Sequence, residues 1–160
     1  MSLTTLDIKE PGLNILPPGV ERHVVNAGGL TGLQIFPDDE IEIINDEGNQ
    51  ICEIICFDKD GKSELAILNL KENSDKSFIK EILKKKDESS LATNFQLKKR
   101  NLDLNKSHSS ILFDEKTPSG EKIKLKSKDK CYVIFSAPQN DMLVSEQNPS
   151  SDLTIFIKRA

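Results

Sequence analysis

The chain is poor in the residue types that most often carry chemistry. Its 160 residues include no tryptophan, one tyrosine, two histidines and three cysteines. So few aromatic rings leave little on which bases or sugars could stack. So few histidines leave no Ser-His-Asp or Cys-His arrangement to recover. We therefore expect no self-contained catalytic constellation in this chain.

Export and membrane signals are also missing from the sequence. No stretch approaches the roughly 18 consecutive apolar residues that a membrane span needs. Residues 1–12 lack the positively charged start and apolar run of an export signal. The chain has an odd number of cysteines, which are Cys52, Cys56 and Cys131. An odd number favours reduced thiols over a disulfide framework. We expect a cytoplasmic protein that has no membrane partner.

Excess positive charge is absent as well, because 22 basic residues face 26 acidic ones and the net charge is −4. This balance disfavours a nucleic-acid partner. The charge is uneven, since residues 71–106 hold ten basic and six acidic side chains, which leaves a net −8 elsewhere. The clusters Lys84-Lys85-Lys86 and Lys98-Lys99-Arg100 lie among acidic residues without aromatic neighbours. They are typical of solvated faces.

What the chain does contain is a series of short runs rich in isoleucine and valine, separated by turn residues, as in β-strands. We predict a mostly β fold, an antiparallel β-sandwich or barrel-like domain with one short helix in a lysine-rich insertion. The length suits one domain over residues 1–160, which can be the N-terminal domain of a longer protein. The expected strands are 23–26, 32–36, 40–45, 50–58, 63–70, 110–113, 121–126, 131–136 and 153–158.

Two local connections follow from the pattern. The turn Asp46-Glu47-Gly48-Asn49 predicts a hairpin between the third and fourth strands, within a meander. Apolar residues at helical spacing from Phe78 to Leu83 predict a helix of about three turns, with Ser74 as its cap. Residues 87–110 are polar and suggest an extended connection with at most one strand.

Metal and thiol chemistry have weak support. On a strand, Cys52 and Cys56 would lie roughly 13 Å apart, from the rise of about 3.3 Å per residue, which is too far for one disulfide or one zinc ion. Neither His23 nor His108 has a partner at ligand spacing. The glycine-rich residues 26–32 lie between two strands, so they favour a turn over a phosphate loop. We expect no metal in the purified protein.

Two polar clusters are candidates for binding a ligand. Asn49, Gln50 and Glu53 flank the predicted hairpin, and Gln139, Asn140 and Asp141 follow the apolar strand 131–136. If the strands are neighbours, both clusters can line one pocket mouth. The alternative is ordinary turn chemistry, because Asn, Asp and Pro favour turns for backbone reasons.

The same clusters carry a family resemblance. Residues 25–28, 39–45 and 46–53 resemble the opening of the urea-carboxylase-associated domain family, with its Gly-Asn-Gln element and an acidic residue three positions later, here Glu53. Residues 136–141 resemble that family's closing Ser-x-Cys-Pro-Gln element, although Ala137 stands where the family usually has cysteine. The resemblance covers both ends of the chain and not its lysine-rich middle.

This resemblance implies a shortened copy of the kind fused ahead of folate-dependent aminomethyltransferase modules of the glycine-cleavage T type. We therefore expect an ancillary, non-catalytic domain, which acts as an interface or a substrate-side pocket. It would hold no cofactor itself, with folate in a downstream module. Its partner would be that module or a second copy of the chain. Two alternatives stay open: a metal-dependent hydrolase of the deiminase type acting on a small nitrogen compound, and a small-molecule binding module.

Overall fold

In the part of the chain that the structure describes, eight antiparallel strands form two four-stranded sheets. A computed structural model describes residues 16–74, 77–139 and 150–160. The strands are β1 (Val20–Val25), β2 (Leu30–Ile35), β3 (Glu40–Asn45), β4 (Cys52–Asp58), β5 (Ser109–Leu112), β6 (Glu121–Lys126), β7 (Cys131–Ser136) and β8 (Leu153–Lys158). The first sheet has the order β1-β8-β3-β6, and the second has the order β2-β7-β4-β5. The predicted fold class, a mostly β antiparallel sandwich, is confirmed.

The main core lies between the two sheets. Along β3, Ile41 and Ile43 are buried, whereas Glu40 and Glu42 point away from the core, which is the alternation expected of a half-buried strand. These isoleucines join buried residues of β4, β7 and β8 in one apolar cluster. Burial of this cluster is the main stabilising contribution to the sandwich.

A second apolar cluster covers the outer face of the second sheet. It combines residues of the sheet, including Ile55, Phe57 and Ile134, with Ile79 and Leu97 from two helices. The helices are α1 (Phe78–Ile82) and α2 (Glu88–Lys99). Because β7 is covered on both faces, all six of its residues are buried, which explains its continuous apolar sequence.

The predicted hairpin between β3 and β4 is wrong, and with it the meander. In the structure β3 pairs with β6 and β8, whereas β4 pairs with β5 and β7, so the turn after β3 crosses from one sheet to the other. This turn packs against a distant loop, where the Asn49 amide donates to the Thr117 carbonyl at 2.8 Å. A Cβ at Gly48 would lie 2.7 Å from the same carbonyl oxygen, so the close approach requires glycine.

The helices also differ from the expectation. Ser77, and not Ser74, caps α1, and α1 is five residues long. Ser74 instead forms an isolated bridge with Ser109. Residues 87–110 are not an extended connection, because Asp87 caps the twelve-residue helix α2. The predicted strand at 63–70 is a 3-10 turn, Leu65–Leu68, ended by Asn69 in a left-handed conformation.

No helix in the described part of the chain is long and apolar enough to cross a membrane.

Candidate functional site

Glu53 is a buried carboxylate that holds α1 against the second sheet. Its side chain lies on the outer face of β4 and is fully buried. The amide of Ile79 donates to Oε1 at 2.7 Å, and the hydroxyl of Ser109 donates to Oε2 at 2.6 Å. Glu53 therefore satisfies backbone donors in the first turn of α1 that have no partner within the helix.

The surroundings of Glu53 act on its pKa in opposite directions. Desolvation is the largest influence and raises the pKa of the carboxyl above its usual value. Hydrogen bonds from Ser109, from Ser77 and from the amides of Ile79 and Phe78 oppose this rise by stabilising the charged form. The net result is a raised pKa, so the folded protein binds this proton more tightly than the unfolded chain does.

Gln50 is the second buried polar anchor at this end of the sandwich. Its amide nitrogen donates to the carbonyl of Pro138 at 2.8 Å and to that of Ile51 at 2.9 Å. Its side-chain oxygen accepts from the amide of Ser151 at 2.9 Å. Gln50 thus ties the segment before β4 to the segments that follow β7 and precede β8.

Two polar atoms beside Gln50 are buried and have no hydrogen-bond partner in the described part of the chain, Oδ1 of Asn45 and Oγ of Ser151. The amide nitrogen of Asn45 does bond, to the backbone carbonyl of Gln50 at 2.6 Å. An unsatisfied buried polar group costs about 1–3 kcal/mol. A hydrogen bond from a water molecule to each atom would remove this cost.

Gln139 lies at the same end, because Glu53 pairs directly with Ser136 across β4 and β7. Unlike Gln50 and Glu53, Gln139 is exposed. It borders an open cavity of about 350 Å³ that we call the Gln139 cavity. The cavity is lined by Gly28, Phe78, Glu81, Ile82, Lys85, Pro138 and Gln139.

The other predicted site residues are not at this cavity. Asn49 is exposed in the turn after β3, where its amide contacts the loop at Thr117. Asn140 and Asp141 lie outside the described residues. The structure therefore brings Gln50, Glu53 and Gln139 to one end of the sandwich, but only Gln139 lines the cavity.

Sequence reasoning missed the cavity residues on α1 and just after it. Lys85 donates from Nζ to the carbonyl of Gly28 at 3.2 Å, which links the end of this helical segment to the glycine turn. Lys85 belongs to the run Lys84-Lys85-Lys86, which is typical of a solvated face, so its position in the sequence did not indicate a binding role. Gly28 lies beside the side chain of Gln139, and its φ of 74° is a left-handed conformation that favours glycine.

Histidine and cysteine lie outside the cavity. The ring of His23 contacts Glu21 at 3.0 Å, and that of His108 contacts Glu72 at 2.9 Å. The three cysteines are free and buried, and burial raises the pKa of the Cys52 thiol to about 12, which suits a structural thiol better than a nucleophile. Among the residues the structure describes, no three side chains of His, Cys, Asp or Glu gather as metal ligands.

The chain is similar to a known enzyme. No protein-family model matches the chain. The chain is 33% identical over 153 residues to a trimethylamine-oxide aldolase from Ruegeria pomeroyi. The match covers 96% of this chain and 19% of that protein, so the chain spans about a fifth of the length of its relative.

This similarity corrects the expected function. The sequence suggested an ancillary, non-catalytic domain of an aminomethyltransferase-like protein. The similar protein is instead named for a catalytic activity, and nearly the whole of this chain aligns with it. The name describes no hydrolase, so the alternative of a metal-dependent hydrolase gains no support from it. The expectation of a non-catalytic domain is therefore withdrawn, and the activity of this chain is a matter for proposal.

Proposed function

We propose that this chain is part of an enzyme that acts on trimethylamine oxide or a closely similar amine oxide, and that the Gln139 cavity binds this substrate. The observation that carries the proposal is the match to a trimethylamine-oxide aldolase along 96% of the chain. The cavity volume of about 350 Å³ falls within the range of roughly 300–1,000 Å³ that small-molecule sites occupy.

The lining of the cavity suits the two charges of an amine oxide. Such a molecule has a positive nitrogen, which carries the methyl groups, and a negative oxygen. Lys85 and Gln139 supply N–H donors for the oxygen, and a charged donor makes the stronger hydrogen bond. The Glu81 carboxylate offers a countercharge for the nitrogen, while Phe78 and Ile82 present apolar surface to the methyl groups.

Glu53 would support this site without touching the substrate. It is fully buried, and it holds the first turn of α1, from which Phe78, Glu81 and Ile82 reach the cavity. Gln50 would fix the opposite wall in the same way through the carbonyl of Pro138. Both residues then act as positioning residues, because rigid support of a binding wall limits the loss of entropy on binding.

A titration followed by NMR, with assigned backbone amide signals, tests the proposal. Trimethylamine oxide added to the isotope-labelled chain should shift the amide signals of Gly28, Lys85 and Gln139. The variants Lys85→Met and Gln139→Ala should each weaken binding by about tenfold, the loss of roughly 1.4 kcal/mol that one hydrogen bond to a charged group represents. Lys86→Met is the matched control, since Lys86 is exposed and does not line the cavity.

Trimethylamine, which lacks the oxide oxygen and is a cation at neutral pH, is the control ligand and should lose no affinity in Lys85→Met, because it has no oxygen for that lysine to bind. Shifts confined to other surfaces would contradict the assignment of the cavity. Equal binding of trimethylamine oxide by the wild type and both variants would contradict the roles of Lys85 and Gln139.

We also propose that the resemblance to the urea-carboxylase-associated domain family reflects common ancestry. Its two sequence elements are far apart in the chain, yet Gln50 contacts Pro138 and Glu53 pairs with Ser136, so the elements form one end of the fold. Folate bound by a downstream module and a cytoplasmic location stay predictions. The three free cysteines support the second of them.

A further inference from the structure

Helix α2 has apolar side chains on its exposed side as well as on its buried side, where Leu97 packs on the second sheet. Its buried side includes Ser90 and Thr93, and the hydroxyl of Ser90 donates to the carbonyl of Ile82 at 2.9 Å. Its apolar residues Leu91 and Phe95 point outward and are 57% and 62% exposed. Large apolar side chains that are adjacent and exposed mark interaction surfaces more often than isolated ones do.

The exposed side of α2 has charges at both ends of this apolar pair. Glu88 lies one turn before Leu91, and Lys98 lies one turn after Phe95, and both are exposed. We call Glu88, Leu91, Phe95 and Lys98 the α2 face. These charges also suit the helix dipole, which explains their signs. The dipole does not explain why the two apolar side chains between them face solvent.

We infer that the α2 face is a self-association surface, on which a second copy of this chain packs its own α2 in the antiparallel direction. A two-fold axis midway between Leu91 and Phe95 would place each Leu91 against the Phe95 of the other copy. The same axis would set each Glu88 against the Lys98 of the other copy. The face is therefore complementary to itself in both apolar contacts and charge, as an isologous dimer interface requires.

The distances along the helix are consistent with this pairing. From the rise of 1.5 Å per residue, Leu91 and Phe95 lie about 6 Å apart along the axis, and Glu88 and Lys98 about 15 Å apart. All four residues fall on one side of the helix, since steps of three and four residues return to the same side. A parallel pairing would place Glu88 against Glu88 and Lys98 against Lys98, and like charges disfavour it.

The dimer would also bring one copy close to the proposed site of the other. Beside the N-terminal end of α2 lies a groove lined by Gly28, Lys85 and Glu88, among others. Gly28 and Lys85 also line the Gln139 cavity. The Lys98 side chain of the second copy, paired with Glu88, would therefore stand at the rim of this groove.

The size of the surface predicts a weak, reversible dimer. A twelve-residue helix contributes much less than the roughly 800 Å² per partner of a standard stable interface. Sedimentation velocity on the 160-residue chain from about 1 to 500 μM should show a monomer that converts to a dimer as its concentration rises. A monomer at every concentration would overturn the inference.

Charge exchange tests the antiparallel arrangement. Glu88→Lys and Lys98→Glu should each weaken self-association by about tenfold or more, because each variant places two like charges together twice. An equimolar mixture of the two variants should associate as well as the wild type, since both contacts then pair opposite charges. Failure of the mixture to recover would overturn the antiparallel pairing.

Removal of the apolar pair tests the centre of the interface. Phe95→Ser should abolish the dimer while leaving the melting temperature of the monomer almost unchanged, because the side chain is exposed. Phe36→Ser is the matched control, since Phe36 is 45% exposed on a different part of the surface. A dimer that survives Phe95→Ser, or one that Phe36→Ser disrupts equally, would overturn the assignment to α2.

Discussion

The outer faces of the two sheets differ in what covers them. On the second sheet, Ile134 and Glu53 lie beneath the helices and are fully buried. On the first sheet, Ile44 and Glu42 occupy corresponding outward positions of β3 but are only partly buried. The buried apolar side chains of both helices belong to the cluster on the second sheet. The difference shows that burial of an outer face comes from the inserted helices and not from the sandwich itself.

The two outer faces also differ in sequence pattern. On β6, Lys122, Lys124 and Lys126 all point outward and are exposed, and they alternate with the half-buried Ile123 and Leu125. On β7, no residue is exposed. A strand covered on one face alternates, whereas a strand covered on both faces is continuously apolar. The sequence pattern of each strand thus indicates whether other elements cover its outer face.

The largest expected effect compares isoleucines on the two faces. Ile134→Ala should lower the free energy of unfolding by about 2–5 kcal/mol, because the truncation leaves a cavity between the sheet and the helices. Ile44→Ala is the matched substitution on the outer face of the first sheet. It should lower the free energy of unfolding by about 1 kcal/mol or less, since the side chain of Ile44 is already partly solvated. Urea unfolding of both variants measures the two values. Equal losses would mean that the first sheet also has a covering layer.

A smaller effect is expected from carboxylates on the same two outer faces, Glu53 on the second sheet and Glu42 on the first. Glu53→Ala should cost about 2–4 kcal/mol, because the Ile79 amide and the Ser109 hydroxyl would lose their acceptor at roughly 1–3 kcal/mol each. Glu42→Ala is the control and should cost less than about 0.5 kcal/mol. Thermal melting of the two variants makes the comparison. A melting temperature for Glu53→Ala at or above that of the wild type would instead indicate a ligand-binding carboxylate.

The pH dependence of stability sharpens the role of Glu53. Because folding raises the pKa of this carboxyl from its usual 4.5, the corresponding stability is present in full below about pH 4.5. It is lost as the pH rises through the pKa of the folded state. Glu53→Gln, which keeps an acceptor but cannot ionise, should show a flatter dependence over this interval. An unchanged slope in urea titrations at several pH values would contradict a buried carboxyl with a raised pKa.

How much of this contrast could be predicted depends on whether its cause is local. The alternation in β3 and the apolar run of β7 gave both strands the bounds that the structure shows, Glu40–Asn45 and Cys131–Ser136. The separation of β3 and β4 into different sheets was not predictable, because the turn at Gly48 is held by a carbonyl of the distant residue Thr117. A turn sequence that favours a hairpin cannot reveal such a contact.

The predictions of helix α2 and of the candidate site were incomplete for related reasons. The helix buries Ser90 and Thr93 and exposes Leu91 and Phe95, so the usual apolar period is missing from its sequence. The sequence predicted only part of the cavity lining. The polar cluster after β7 included Gln139, but nothing in the sequence indicated Lys85. The Lys85 contact with Gly28 joins segments 57 residues apart, and it exists only because α1 packs on the second sheet.

The smallest expected effect concerns the charged side chains on the outer face of the first sheet. Lys124 and Glu42 lie opposite each other on β6 and β3, with Nζ and Oε2 3.9 Å apart, and the lysine side chain is 80% exposed. Water and salt screen such a pair, so Lys124→Met should change the free energy of unfolding by less than about 0.5 kcal/mol. Any loss should vanish in 1 M salt, where the screening length is about 3 Å. Lys122→Met is the matched control, because Lys122 lies opposite Ile44 rather than a carboxylate. A loss from Lys124→Met well above that of the control, and insensitive to salt, would mean that a further layer excludes water from this face.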